Sequence, residues 1–191
     1  MISNVEINKN VRLSEHLTSS SVAALSHSSK LDGLRLSPHF SLGELTKTSH
    51  KTEDGNIPSR VVIENLKRLC SWLEELRYSY NTLYCLTPGE DYDESKNVEP
   101  IVINSGYRSP QLNKIVGGAK DSNHLTGCAV DIRTYGIEQA MRYAVILMDY
   151  ADDSNLDFDE ILIEKNSKGS IWLHFAVRPK DNRRKIKFLS V

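Results

Sequence analysis

A histidine and an aspartate stand seven positions apart in Ser122-Asn123-His124-Leu125-Thr126-Gly127-Cys128-Ala129-Val130-Asp131. Gly127 and Ala129 lie between them, small residues where the chain must pass close to something. Zinc accepts imidazole nitrogen and carboxylate oxygen at about 2.0–2.2 Å, and catalytic zinc sites use three protein ligands. A third ligand is therefore required. The chain has six histidines. His16 and His27 fall in a Ser-rich N-terminal stretch, and His39 and His50 in loops. His174 sits inside the apolar run Ile171-Trp172-Leu173-His174-Phe175-Ala176-Val177. Alone there, a histidine usually satisfies ordinary hydrogen bonds. Beside the His124/Asp131 segment, the ligand reading overtakes that one.

Ser105-Gly106-Tyr107-Arg108-Ser109-Pro110, Gly117-Gly118-Ala119, Ser122-x-His124-x-x-Gly127-x-Ala129-x-Asp131 and Trp172-x-His174 follow one another in the chain. Together they resemble the zinc D-Ala-D-Ala carboxypeptidase family, whose relatives include D-Ala-D-Ala dipeptidases, phage L-alanyl-D-glutamate endolysins and the hedgehog-type zinc domain. The opening Phe40-Ser41-Leu42-Gly43-Glu44-Leu45 is similar to one subgroup of bacterial and phage members. The resemblance runs from about Pro38 to Val177. It implies a zinc ion on His124, Asp131 and His174, with water in the fourth position and its pKa lowered toward about 7. It implies that Arg108 binds a substrate carboxylate or polarises the carbonyl under attack, tasks a guanidinium fork suits. Ser122 would bond substrate or fix the ligand loop; a plain cap bond is the equal alternative.

The general base departs from several relatives. An acid three residues before the last ligand histidine is replaced by Ile171, and a histidine two residues before it by Trp172. Hairpin parity points to Glu164. If Ser167-Lys168-Gly169 form a three-residue loop with Gly169 left-handed, Glu164 opposes Trp172 and shares a face with His174. A loop of two or four residues would turn Glu164 away, leaving an exposed strand glutamate. Glu160, farther along the strand, is the weaker candidate. The expected activity is a zinc peptidase on peptidoglycan stem peptides, cutting D-Ala-D-Ala or L-Ala-D-Glu bonds. The alternative is a zinc-stabilised binding module without turnover. Peptidoglycan or its muropeptides would be the partner, which puts the protein at the cell wall, in the periplasm, outside the cell or delivered by a phage.

These residues need a scaffold. Ser41 and Glu44 form a capping-box pattern opening a short helix. Pro58 suits the first turn of a helix in which Val62, Leu66, Leu69, Leu73 and Leu76 share one face to about Arg77. Residues 87–100 are acidic and contain Pro-Gly, so they read as an exposed loop. Ile101–Ile103 predicts a buried strand, Ser109–Ile115 a short helical turn broken by Gly117-Gly118, and Cys128–Ile132 another strand. Residues 137–150 predict a helix. Residues 160–165 and 170–177 predict a hairpin. The order implies an α+β fold: a small antiparallel or mixed sheet carrying the site, flanked by helices. Residues 1–35 show no sustained period and are expected to be mobile or loosely attached, with the domain at 36–191.

Bulk properties agree. At 191 residues one domain with a real core is possible. Net charge is −1, from 24 basic and 25 acidic residues, which argues against a nucleic-acid partner. The basic run Arg178–Lys187 reads as a solvated surface. No apolar stretch approaches the roughly 20 residues that span a bilayer, and Met1–Lys30 lacks a signal peptide's apolar middle. Cys70, Cys85 and Cys128 are odd in number and form no CxxC pair, so free thiols are expected. A monomer is expected.

Overall fold

The computed structural model describes residues 33–87, 89–96 and 98–191. The expectation for the N-terminal stretch, with His16 and His27, lies mostly outside them. Leu34 and Arg35 are already engaged: the Leu34 carbonyl accepts from the Leu42 N–H at 2.7 Å, and Arg35 bridges to Ser41.

The helices are α1 (Leu42–Thr46), α2 (Arg60–Tyr80), α3 (Pro110–Ile115) and α4 (Ile137–Ser154). The strands are β1 (Ile103–Ser105), β2 (Ala129–Arg133), β3 (Glu160–Lys165), β4 (Ile171–Ala176) and β5 (Lys185–Ser190). They form one mixed sheet in the order β1-β2-β4-β3-β5. Only β3 and β5 run parallel. The α+β expectation holds.

Local chemistry explains most boundaries. Ser41 caps α1, and the full capping box with Glu44 forms. Ser109 caps α3 with Pro110 in its first turn, where the missing N–H costs nothing. Pro58, by contrast, stays outside α2. Ser59 is extended and its hydroxyl accepts the Val62 N–H, so Ser59 takes the cap and the helix starts after it. The helix also runs past Arg77, continuing into a π-helical turn at Asn81–Cys85. Tyr80 packs edge-on against Tyr143 of α4, and the Asn81 amide is fixed by the Arg77 and Glu99 carbonyls. The first strand is displaced to Ile103–Ser105, with Ile101 buried ahead of it.

Alternation along the strands divides the sheet. Leu173 and Phe175 of β4, Ile161 and Ile163 of β3, and Val130 and Ile132 of β2 join the core with α2 and α4. Trp72 of α2 touches Phe175 and Tyr150 there. The opposite face carries Asp131, Trp172, His174, Glu160 and Glu164. The period of two thus puts grease on one side and chemistry on the other.

The basic C-terminal run is largely exposed, as a solvated surface would be, yet several of its cations are paired. Arg178 and Arg183 pair with the fully buried Asp159, Arg184 with Asp152 and Asp157, and Lys185 with Glu160. It leads into β5, an edge strand the pattern did not announce. The acidic loop packs over the end of α2, with Glu94 against Arg77 at 2.8 Å. It walls a cavity of about 700 Å³ that includes none of the proposed zinc ligands. Cys70, Cys85 and Cys128 are free. No described helix is long and apolar enough to cross a membrane.

Candidate metal centre

Asp131 and His174 are direct partners across the β2–β4 ladder. Their side chains leave the same face, and His174 Nδ1 lies 3.0 Å from Asp131 Oδ1. His124 comes from elsewhere, a 3-10 turn at Asn123–Thr126 just ahead of β2. Its Nε2 lies 3.2 Å from the same oxygen. All three residues are buried, and their ligand atoms lie within 4.8 Å of one another. Atoms bound to one tetrahedral zinc sit about 3.3–3.6 Å apart, given bonds of about 2.0–2.2 Å. Two imidazole nitrogens and one carboxylate oxygen at this spacing fit zinc in type and in size.

The turn holding His124 is fixed from several sides. The Ser122 hydroxyl accepts from the His124 N–H at 3.3 Å, the cap alternative for this residue. Gly127 ends the turn at φ +69, and a Cβ there would lie 2.8 Å from Val62 Cγ1 of α2. Both the left-handed backbone and the close approach require glycine. The His124 Nδ1–H donates to the Gly106 carbonyl at 2.6 Å, leaving Nε2 for a metal. A Cβ on Gly106 would meet the Leu45 carbonyl at 2.2 Å.

Arg108 points into the centre. Its Nη2 donates to Asp131 Oδ2, and its Nε donates to Ser105 Oγ at 2.8 Å. The carboxylate is thereby divided: Oδ1 faces the imidazoles and Oδ2 faces the guanidinium. Arg108 and Asp131 therefore form a salt bridge. It also places the guanidinium beside the ligand atoms.

Glu164 opposes Trp172, and Gly169 closes the hairpin at φ +86 after Ser167 and Lys168. The face parity is the one the loop length predicts. Glu160 lies on that face too, its Oε2 3.5 Å from His174 Nε2.

Charge in the centre is uneven. Burial opposes ionising Asp131, but the His124 and His174 imidazoles hold its carboxyl well below the usual range. Burial pushes His124 down. It also works against a charged His174, yet hydrogen bonds to Asp131 and Glu160 raise that imidazole to about 9. The His174 contact, against burial and with help from Lys185, holds Glu160 low. Glu164 differs: burial pushes its carboxyl up, and the Asp131 charge adds to the rise against the pull of His174. A half-buried carboxylate with a raised pKa is suited to moving a proton near neutral pH.

A family model described as Peptidase M15 matches residues 38–152, more than half of the chain. The chain belongs to this family. Members of Peptidase M15 are metallopeptidases, typically zinc enzymes, so the chain is a peptidase by family and its His-Asp-His cluster is compatible with a metal site. None of the curated proteins matches it. The match includes Arg108, His124 and Asp131 and stops before β3, so His174, Glu160 and Glu164 lie outside it.

Asn56 was invisible as a motif. It lies in a loop at φ 52 and is almost fully buried. Its side chain donates to the Thr46 and Tyr107 carbonyls and accepts the Ser109 N–H at 2.7 Å. That clamps both ends of the segment carrying Arg108. The signal was slight: Asp54-Gly55-Asn56 reads as any turn.

Proposed function

We propose that this Peptidase M15 member is a zinc-dependent hydrolase of peptidoglycan stem peptides, of D-Ala-D-Ala carboxypeptidase or L-Ala-D-Glu endopeptidase type, acting at the cell wall. The observation that carries the reading is the convergence of His124 Nε2, Asp131 Oδ1 and His174 Nδ1, with Glu164 on the same sheet face. Those three residues would hold the ion. Zinc, when bound, supplies a Lewis acid that polarises a carbonyl and acidifies water.

The protein's own groups do the rest. Glu164, ionised, takes a proton from the attacking water and returns it to the leaving amine. Arg108 lies beside Asp131 and offers positive charge to a terminal carboxylate, or to a carbonyl oxygen as that oxygen turns negative. Ser122 holds the backbone N–H of His124, and the Gly106 carbonyl holds its ring through Nδ1–H. Both stem-peptide bonds carry a carboxylate near the scissile amide, which gives Arg108 a partner in either case.

The test is digestion of purified peptidoglycan by wild type and His124→Ala, with products identified by mass. Loss of one terminal alanine marks the carboxypeptidase; separation of L-Ala from D-Glu marks the endopeptidase. Equal digestion by both proteins sinks the proposal. Zinc binding without any cleavage would leave a zinc-stabilised binding module as the better description.

A further inference from the structure

We propose that Glu160 is a positioning residue for His174, and that the C-terminal segment leading into β5 completes the metal centre by holding Glu160 in place. The inference rests on the reading of His124, Asp131 and His174 as zinc ligands.

A neutral imidazole binds metal through one nitrogen and keeps its proton on the other, and the partner of that second nitrogen fixes ring and tautomer. His174 presents Nδ1 to Asp131 Oδ1 at 3.0 Å. Its Nε2 faces Glu160 Oε2 at 3.5 Å. Glu160 comes from β3, opposite Ala176 and diagonal to His174. The small Ala176 leaves the carboxylate room to lean toward the imidazole. Glu160 is buried and would be costly as an unpaired charge.

It is not unpaired. Lys185 Nζ lies 2.8 Å from Oε1, and Arg183 Nη2 lies 3.0 Å from the same oxygen. Lys185 opens β5 and sits opposite Glu160 across the parallel β3–β5 ladder. The other oxygen, Oε2, accepts from the Asn123 amide at 3.0 Å. Asn123 directly precedes His124, and its amide also donates to Asp159 at 2.7 Å. Asp159 is itself gripped by Arg178 and Arg183. One network thus links the turn carrying one ligand to the strand carrying another, through cations that lie beyond the family-matched residues 38–152.

The experiment measures zinc affinity by chelator competition on the full chain for wild type, Glu160→Gln, Lys185→Met and His124→Ala, with melting temperatures of each in EDTA. Glu160→Gln is expected to weaken zinc binding about 10–100-fold, the usual cost of losing a ligand's outer partner. Lys185→Met is expected to weaken it less, and the metal-free melting temperatures to stay close to wild type. Wild-type affinity in both variants overturns the inference. Should Glu160→Gln fail to fold, unaltered affinity in Lys185→Met overturns it. A wild type that binds no zinc overturns the metal reading and this inference with it. Wild-type binding that His124→Ala abolishes and Glu160→Gln leaves intact overturns this inference alone.

Discussion

Asp131 and His174 face each other across the β2–β4 ladder, with Oδ1 and Nδ1 3.0 Å apart. Directly opposed residues on one sheet face have their Cβ atoms about 4.5–5.5 Å apart, so two short side chains meet without reaching. Rigid strands therefore set the geometry of two proposed ligands, and only His124 depends on a turn.

Asp131→Asn and His174→Ala should each remove a ligand. Zinc retained after dialysis, measured by elemental analysis, should fall to background. Affinity should drop by more than the about 10–100-fold that an outer partner costs. Cleavage should vanish in both, and EDTA should abolish wild-type cleavage until zinc is restored. A full zinc complement in Asp131→Asn would contradict the ligand assignment.

Glu164→Gln should lower kcat by about 10²–10⁴-fold, the usual contribution of a positioned proton-transfer group, with zinc content unchanged. The direction of the Glu164 shift also sets a pH dependence. Burial raises its pKa, and a base must be ionised to act. Wild-type kcat/KM should therefore climb with pH through a limb above the ordinary glutamate value of about 4.3. That limb should be missing from the residual activity of Glu164→Gln. An identical acid limb in the variant would assign it to another group.

Gly127→Ala should destabilise the fold by about 2–5 kcal/mol. The left-handed backbone costs an alanine about 1–2 kcal/mol, and overpacking adds about 1–3. The new Cβ would lie 2.8 Å from Val62 Cγ1 and 2.9 Å from the Val62 carbonyl oxygen, and the backbone atom cannot swing aside. A urea midpoint equal to wild type would show that the turn can relax.

Glu74→Gln should cost about 1–2 kcal/mol at neutral pH, the lower part of the range for charge-assisted hydrogen bonds because the site is partly solvated. The carboxylate accepts from Ser37 Oγ at 2.6 Å and from the His39 N–H at 2.8 Å, and meets His39 Nδ1 at 2.6 Å. Burial opposes its charge, yet these bonds hold its pKa below the ordinary value. Unfolding therefore takes up a proton on acidification. The contribution is full above about pH 4.3 and is lost as pH falls through the lower folded value. Denaturant curves of wild type and variant should converge over that window, and a constant gap would refute it.

Much of this protein is written along the chain. The capping box at Ser41 and Glu44, the apolar face of α2, the Ser109 cap before Pro110 and the three-residue hairpin loop all rest on neighbours a few positions apart, where spacing alone fixes geometry. His124 and Asp131 were legible for the same reason, sharing one short segment. Three things needed the fold. Asn56 clamps the Arg108 segment from about fifty positions away, Asp131 shares its carboxylate between Arg108 and the imidazoles, and Arg178, Arg183 and Lys185 pair with Asp159 and Glu160. Sequence spacing carries no information about which remote charge answers another. The sheet order, with β5 laid beside β3, decides that by bringing buried carboxylates and distant cations within a few ångströms, where leaving either unpaired would cost more than pairing them.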